Sequence, residues 1–317
     1  PGTVRLCRKK YSGGVAEQFD DYILFIDAQL SGPVCSQSDD CSAPNGNCGV
    51  SATYVDPGNL PVHIGYVVPS YNANDDDNDG MPYSVEIAEG RNPSGKDNDI
   101  FNVARLFVFQ QTKDMLHRVA QDNEVLTLSA QITSGQKTRQ AAVEEFINNP
   151  EHYNIYAPII RLYRAYFNRI PDYGGLEYHA TNSRGGTPLA IIAQQFAASQ
   201  EFLNRVGNLT DGQFVNFCYE SVLGRPADPG GYNYWFGQLQ SGAMNRGQVM
   251  LGFSESAEFI GLSVNKVRTS MLYQAMLRRT ADQGGFDFYV GLLNSGTSFL
   301  ALVSGFFGSA EYYQRFL

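Results

Sequence analysis

The stretch Cys218-Tyr-Glu-Ser-Val-Leu-Gly-Arg-Pro-Ala-Asp-Pro-Gly-Gly231 decides the architecture, because the chain carries the same pattern three times. Without a gap it matches Leu162-Tyr-Arg-Ala-Tyr-Phe-Asn-Arg-Ile-Pro-Asp-Tyr-Gly-Gly175 and Leu272-Tyr-Gln-Ala-Met-Leu-Arg-Arg-Thr-Ala-Asp-Gln-Gly-Gly285. The anchors are Tyr163/Tyr219/Tyr273, Arg169/Arg225/Arg279 and Asp172/Asp228/Asp282, each set followed by a Gly pair. Downstream each copy carries an aromatic residue (Tyr178, Tyr234, Phe288). A Ser-x-Glu-aromatic tetrad follows, opening at Ser199, Ser256 and Ser309. The period is 56 and then 54 residues, and such in-register self-similarity is the mark of a repeat architecture. A fourth, degraded copy precedes them, with Ser134-Gly135 matching Ser241-Gly242 and Ser295-Gly296, and Asn149-Pro-Glu151 in place of Ser-x-Glu. Its Asp-x-Gly-Gly turn is replaced around Asp122-Asn123, a departure expected where a terminal repeat caps a stack.

Local physics makes these anchors helix punctuation. Gly224 follows the apolar helical run Phe214, Phe217, Cys218 and Val222, where a left-handed C-terminal cap is wanted. Asp228 before Pro229 suits an N-cap followed by proline in the first turn. Ser241-Gly242 ends the next helix. Ser256 then opens another, with Glu258 near the positive end of its dipole. Each unit is therefore expected to hold three or four short helices, with Arg225 and Asp228 paired across the turn. Three equivalent catalytic Arg/Asp sites are the poorer reading of the same residues.

This pattern, from Tyr-x5-Arg-x2-Asp-x-Gly-Gly to Ser-x-Glu-Phe, resembles the helical repeat of unknown function found in bacterial secreted and surface-layer proteins. That family is similar in turn to the linker domains of phycobilisomes. The likeness covers residues 155–317 and, more weakly, 101–154. It implies an extracellular bacterial helical scaffold and brings no catalytic residue.

The 317 residues are 43% hydrophobic and 17% charged, enough apolar material for a core and too much for a disordered chain. The net charge of -9 is uneven: residues 1–100 hold 6 Lys/Arg against 15 Asp/Glu, and residues 101–317 hold 17 of each. Without a basic footprint, nucleic acid is not an expected partner. The apolar run Tyr22 to Ile26 is too short to span a bilayer.

The acidic excess centres on Asp75-Asp-Asp77-Asn-Asp79-Gly80-Met81-Pro-Tyr83-Ser-Val-Glu86, which satisfies the D-x-D-x-D-G-x5-E calcium pattern. Asp75, Asp77 and Asp79 supply the first ligands and Gly80 the sharp turn. The Met81 carbonyl follows, Tyr83 occupies the position served by water or main chain, and Glu86 binds bidentately. Without a cation, two such carboxylates 4 Å apart repel by about 4 kcal/mol at an effective dielectric of 20. A solvated acidic linker is the alternative. With Gly90-x-Asn92-Pro93 and Asp97-x-Asp99 behind it, the segment 72–99 resembles the thrombospondin type-three calcium repeat, and Asp97 and Asp99 are candidates for a second ion. Calcium is the expected cofactor. Gly90-x4-Gly95-Lys96 has P-loop spacing, but Asp97 stands where a magnesium-binding hydroxyl is needed.

Cys7, Cys35, Cys41 and Cys48 lack CxxC spacing and are expected to form two disulfides, three pairings being open. A loop the length of Cys7 to Cys35 is stabilised by about 3 kcal/mol in the chain-entropy model. Disulfides imply an oxidising compartment, consistent with a processed secreted chain beginning at Pro1. Cys218 is expected to be a buried free thiol. Phe19, Tyr22, Ile23 and Ile26 have helical spacing, whereas Val62 to Val68 resembles a strand. The basic cluster Arg5, Arg8, Lys9 and Lys10 is a candidate arm for reaching a neighbouring subunit.

Enzyme signatures are sparse: His63, His117, His152 and His179 are scattered, and neither HExxH nor GxSxG occurs. Glu144 and Glu145 are expected to be solvated. Tyr232, Tyr234, Trp235 and Phe236 are expected to pack between helices rather than form a sugar-stacking platform.

The expected fold is mainly α, with a small disulfide-containing irregular or α+β region at 1–70, an acidic calcium-binding linker at 71–100 and a helical repeat domain at 101–317. The repeats are placed at 101–154, 155–210, 211–265 and 266–317. The expected function is that of a non-enzymatic, secreted bacterial structural protein. It would be stabilised by calcium and self-assemble as a homopolymer into a surface layer or extracellular filament. A carbohydrate-binding or adhesion module, with a cell-surface glycan as partner, is the alternative, and a hydrolase the third.

Overall fold

A computed structural model of the chain describes residues 2–12, 15–26, 86–87, 91–92, 94–95 and 99–316. The expected strand at Val62–Val68 lies outside these. Contacts separate two units, one of which comprises Ile100–Ala120 and Thr127–Leu317. In the other, β1 (Gly2–Ser12) and β2 (Val15–Ile26) form an antiparallel hairpin whose register pairs Gly2 with Ile26 and Cys7 with Asp21. The helical spacing from Phe19 to Ile26 thus falls within a strand. Its aromatic and β-branched residues suit a strand despite the helical spacing, and strand pairing decides between them.

From Ile100 onward the described chain is helical throughout its regular structure, and its elements recur in the register of the sequence repeats. The first repeat holds α1 (Ala104–Gln111), continued by a π-helical turn at Thr112–Leu116, then α2 (Asp122–Thr133) and α3 (Arg139–Asn148). Helix α4 (Pro150–Phe167) closes the first repeat and opens the second, which continues through α5 (Tyr173–Arg184), α6 (Leu189–Ala197) and α7 (Gln200–Val206). The third has α8 (Asp211–Phe217) with a π turn at Cys218–Val222, then α9 (Pro229–Gln240) and α10 (Arg246–Ser254). Helix α11 (Ala257–Leu272) is again shared, running into a π turn at Tyr273–Leu277 before α12 (Gln283–Asn294), α13 (Phe299–Phe307) and α14 (Ala310–Gln314). Between α7 and α8 the shared helix is broken: Gly207 has φ +75° and Thr210 opens α8 with a capping box to Gln213.

The caps fall where the sequence places them. Asp172, Asp228 and Asp282 accept from the amides of Gly175, Gly231 and Gly285 at 2.7, 2.8 and 2.8 Å. Ser199, Ser256 and Ser309 accept from Phe202, Phe259 and Tyr312 at 3.2, 3.1 and 3.1 Å. In the degraded copy Asn149 accepts from the Glu151 amide at 2.9 Å, with Pro150 as the first helical residue. Gly224 is left-handed, at φ +69°, and so are its three counterparts His117 (+54°), Asn168 (+53°) and Arg278 (+51°). Asn adopts that conformation readily, whereas for His117 and Arg278 it costs about 1–2 kcal/mol each and is accompanied by tertiary bonds to Tyr156 and Asp114.

An open stack in chain order, with the degraded copy as a cap, is not what forms. Helix α6 packs on α10, and α3 packs on α13, so the first repeat lies against the fourth. Helices α6 and α10 approach closely: a Cβ at Gly247 would stand 2.5 Å from the Gln194 amide nitrogen. Phe101 sits among Phe307, Tyr312, Tyr313 and Phe316 with centroids 4.8–6.1 Å away. Repeats in a solenoid bury their faces against chain neighbours. Here the first repeat buries its own against the last, which accounts for its divergence from consensus. Asp114, where the other copies have Ala165, Ser221 and Ala275, is one such change and pairs with Arg278 and Arg315 of the fourth repeat.

Candidate functional site

Of the expected calcium ligands, Asp75, Asp77, Asp79, Met81 and Tyr83 lie outside the described residues, as does Asp97. Glu86 is described: its side chain is buried, the backbone is helical at 86–87, and its carbonyl accepts from the Arg91 amide at 2.7 Å. Cys35, Cys41 and Cys48 also lie outside, and of Cys7 only the strand position is described. Among the described residues no group of three or more His, Cys, Asp or Glu side chains is placed to hold a metal. Cys218 is a buried free thiol, as expected, and burial pushes its pKa up, which keeps it unreactive.

In every repeat the most regular polar arrangement is a brace across the turn after the first helix. Arg169 grips Glu201 with Nε–Oε1 at 2.7 Å and a second bond at 2.9 Å. Arg118 with Glu151 (2.8 and 3.0 Å) and Arg225 with Glu258 (2.8 and 3.0 Å) repeat it, and Arg279 with Glu311 is the fourth. The expected Arg–Asp pair is present in all three copies, at longer range than the Arg–Glu brace. Asp172, Asp228 and Asp282 cap their helices through Oδ1 and hold Oδ2 3.7, 3.9 and 3.6 Å from the arginine, while Glu receives the planar guanidinium bidentately. The hydrogen bond from Arg holds Glu201, Glu258 and Glu311 below the usual carboxylate range.

Under the arginine lies the anchor tyrosine, 5.1, 5.1 and 5.0 Å from Arg169, Arg225 and Arg279. Its hydroxyl explains the second glycine of each pair. A Cβ at Gly175 would stand 2.6 Å from Tyr163 Oη, and Cβ atoms at Gly231 and Gly285 would come closer still to Tyr219 and Tyr273. The first repeat has Thr112 in place of tyrosine and has no glycine pair.

A second polar cluster joins repeats one, two and four. Tyr156 Oη lies 3.0 Å from both Glu177 oxygens, accepts from Arg184 at 3.1 Å and meets His117 Nε2 at 2.8 Å. The single hydroxyl proton goes to the carboxylate, so His117 donates from a protonated Nε2. Gln274 of the fourth repeat donates to Glu177 at 2.8 Å. His152 is wholly buried, 4.5 Å from the Tyr156 ring, with Nδ1 donating to the Met115 carbonyl at 3.1 Å. Burial lowers the pKa of His152 to about 3, lowers that of His117 and raises that of Tyr156. Such shifts move these groups away from proton transfer near neutral pH. The adjoining crevice, lined by Ile170, Pro171, Tyr173, Leu176, Gln274 and Thr280 among others, has room for about one water. Spread over more than 150 residues of chain, this cluster left no spacing signal in the sequence.

The aromatic pairs divide. His179, Trp235 and Tyr289 turn inward onto Phe196, Phe253 and Phe306 at 4.8, 5.2 and 4.8 Å. Tyr178, Tyr234 and Phe288, one residue earlier, stand out into solvent, 62, 52 and 60% exposed. Core packing thus holds for Trp235 and fails for Tyr234, because neighbouring helix residues point about 100° apart. Helix α9 has no fully buried residue at all, and Tyr232 and Phe236 are half-exposed.

The family model of a domain of unknown function (DUF4214) matches residues 193–263 and 265–316. No curated protein and no solved structure matches the chain.

Proposed function

We propose that this chain is a secreted bacterial structural protein that self-assembles into a surface layer or extracellular filament, with calcium ordering the acidic segment ahead of its helical repeats. One observation carries the reading. The polar side chains of the helical unit are tied to one another as braces between helices, while an aromatic residue at the same repeat position faces solvent in three copies. Rigid internal pairing with repeated outward apolar groups suits a passive body that meets other surfaces. We assign it no catalysis: its buried His152 and Tyr156 are pushed away from neutral-pH chemistry and serve as packing and hydrogen-bond nodes. Among the described residues no helix is long and apolar enough to cross a membrane.

Asp75, Asp77, Asp79 and Glu86, with the Met81 carbonyl and the Tyr83 position, are the proposed calcium ligands, and two disulfides among Cys7, Cys35, Cys41 and Cys48 belong to the same reading. Negative-stain microscopy and light scattering of the full chain, with calcium chloride and with EGTA, test it. Ordered assemblies lost on chelation are expected. A strict monomer in both conditions refutes it.

Exposed Tyr178, Tyr234 and Phe288 favour a second reading, adhesion to a surface glycan by stacking on these rings. Glycan-array binding abolished by Tyr234→Ala with unchanged melting would select it. Trp235 packs on Phe253 and is the wrong residue to test.

A further inference from the structure

Inside the molecule the second and fourth repeats meet turn to turn. Ile170 and Pro171 lie across the crevice from Thr280 and Ala281, which occupy the equivalent positions of their own repeat. The Tyr173 amide donates to Thr280 Oγ1 at 2.7 Å, and Gln274 donates to Glu177 at 2.8 Å. Like elements face like elements, as across a two-fold axis. The contact buries Pro171, Leu176, Ser270, Gln274 and Ala281.

In the third repeat the same surface is open. Asn216 and Glu220, at the positions of Ser270 and Gln274, are exposed, and so are Pro226 and Pro229 on the turn. Tyr232, at the position of Leu176, is half-exposed. We propose that this face is a self-contact site: a second copy of the chain covers it about a two-fold axis, repeating the contact between repeats two and four. This deepens the assembly reading and rests on it.

The residue pairing supports that occupant. The internal contact places a donor, Gln274, against an acceptor, Glu177. The third repeat has the acceptor Glu220 at the first position and the donor Asn233 at the second. The roles are exchanged but complementary, and a two-fold axis makes the pair twice. The hydrogen bond from Tyr173 to Thr280 has no counterpart, since Pro229 lacks an amide proton and Pro226 a hydroxyl. At that point the new contact is ring against ring, which fits an exposed Pro-Ala-Asp-Pro turn awaiting an apolar partner.

Sedimentation velocity of the full chain over a concentration series tests the site through its charge logic. Asn233→Lys places an ammonium against Glu220 of the other copy twice and is expected to tighten dimerisation about ten-fold. Asn233→Glu opposes two carboxylates twice and weakens it by a similar factor. Adding Glu220→Lys to Asn233→Glu restores it. These positions are exposed, and matching circular dichroism melts confirm that the comparison is between folded chains. If the wild-type chain associates and none of the three variants changes its dissociation constant, this contact is wrong while the assembly reading stands. If the wild-type chain stays monomeric with calcium and with EGTA, both fall.

Discussion

Acidifying the medium from pH 7 to pH 5 acts on the helical unit through His152. This imidazole is wholly buried: Nδ1 is committed to the Met115 carbonyl, Nε2 meets no hydrogen-bonding group among the described residues, and His117 and Arg184 disfavour a positive charge there. Desolvation lowers its folded pKa to about 3, whereas the unfolded chain titrates near 6.5. Between those values the unfolded state holds a proton that the folded state refuses. The contribution is therefore complete above pH 6.5 and shrinks as pH falls toward 3. At about 1.36 kcal/mol per unit, the step from pH 7 to pH 5 removes about 2 kcal/mol. For a unit of this size the same step lowers Tm by about 4–8 °C. The assay is urea unfolding followed by circular dichroism at both pH values, for the wild-type chain and for His152→Asn, which keeps a donor for Met115. Titration of the brace carboxylates is common to both proteins and cancels in the difference. The variant is expected to be less stable at pH 7 and to lose about 2 kcal/mol less on acidification. Parallel losses, or an NMR titration placing the His152 pKa near 6.5, would refute the reasoning.

Gly231→Ala drives a methyl group into Tyr219 Oη and should cost about 1–3 kcal/mol, whereas Gly237→Ala, with nothing within 4 Å, should stabilise by about 0.5–1 kcal/mol; thermal melts of the pair give opposite signs if the tyrosine sets the glycine. Asp114→Ala leaves the partly buried Arg315 guanidinium without its carboxylate where the first repeat meets the fourth. A loss of about 3 kcal/mol is expected in urea titrations, and a near-neutral result would mean that this pairing does not hold the two together. Terbium luminescence should report a saturable site that calcium displaces and Asp77→Asn weakens. Undiminished binding by that variant would remove the acidic loop as the site.

Much of the local structure was legible from the chain alone. The Asp-x-Gly-Gly and Ser-x-Glu anchors mark the caps of α5, α9, α12 and of the Ser-opened helices, because each cap is a hydrogen bond between residues three positions apart. Gly224 marks a left-handed turn for the same reason, and Cys218 is buried as its apolar neighbours indicate. Partners separated by longer stretches were beyond such reading. The ion pair of Arg225 with Asp228, three residues away, was legible, but its closer, bidentate partner Glu258, thirty-three away, was not. Spacing likewise could not separate inward Trp235 from outward Tyr234, since that depends on which face of α9 meets the rest of the fold. Local sequence determined where helices begin, end and repeat, because capping energies act within a single turn. That the first repeat closes on the fourth, that His117 and His152 converge on Tyr156, and that the third repeat keeps an open face were decided only by tertiary packing, because burying apolar area selects partners by shape, whatever their distance along the chain.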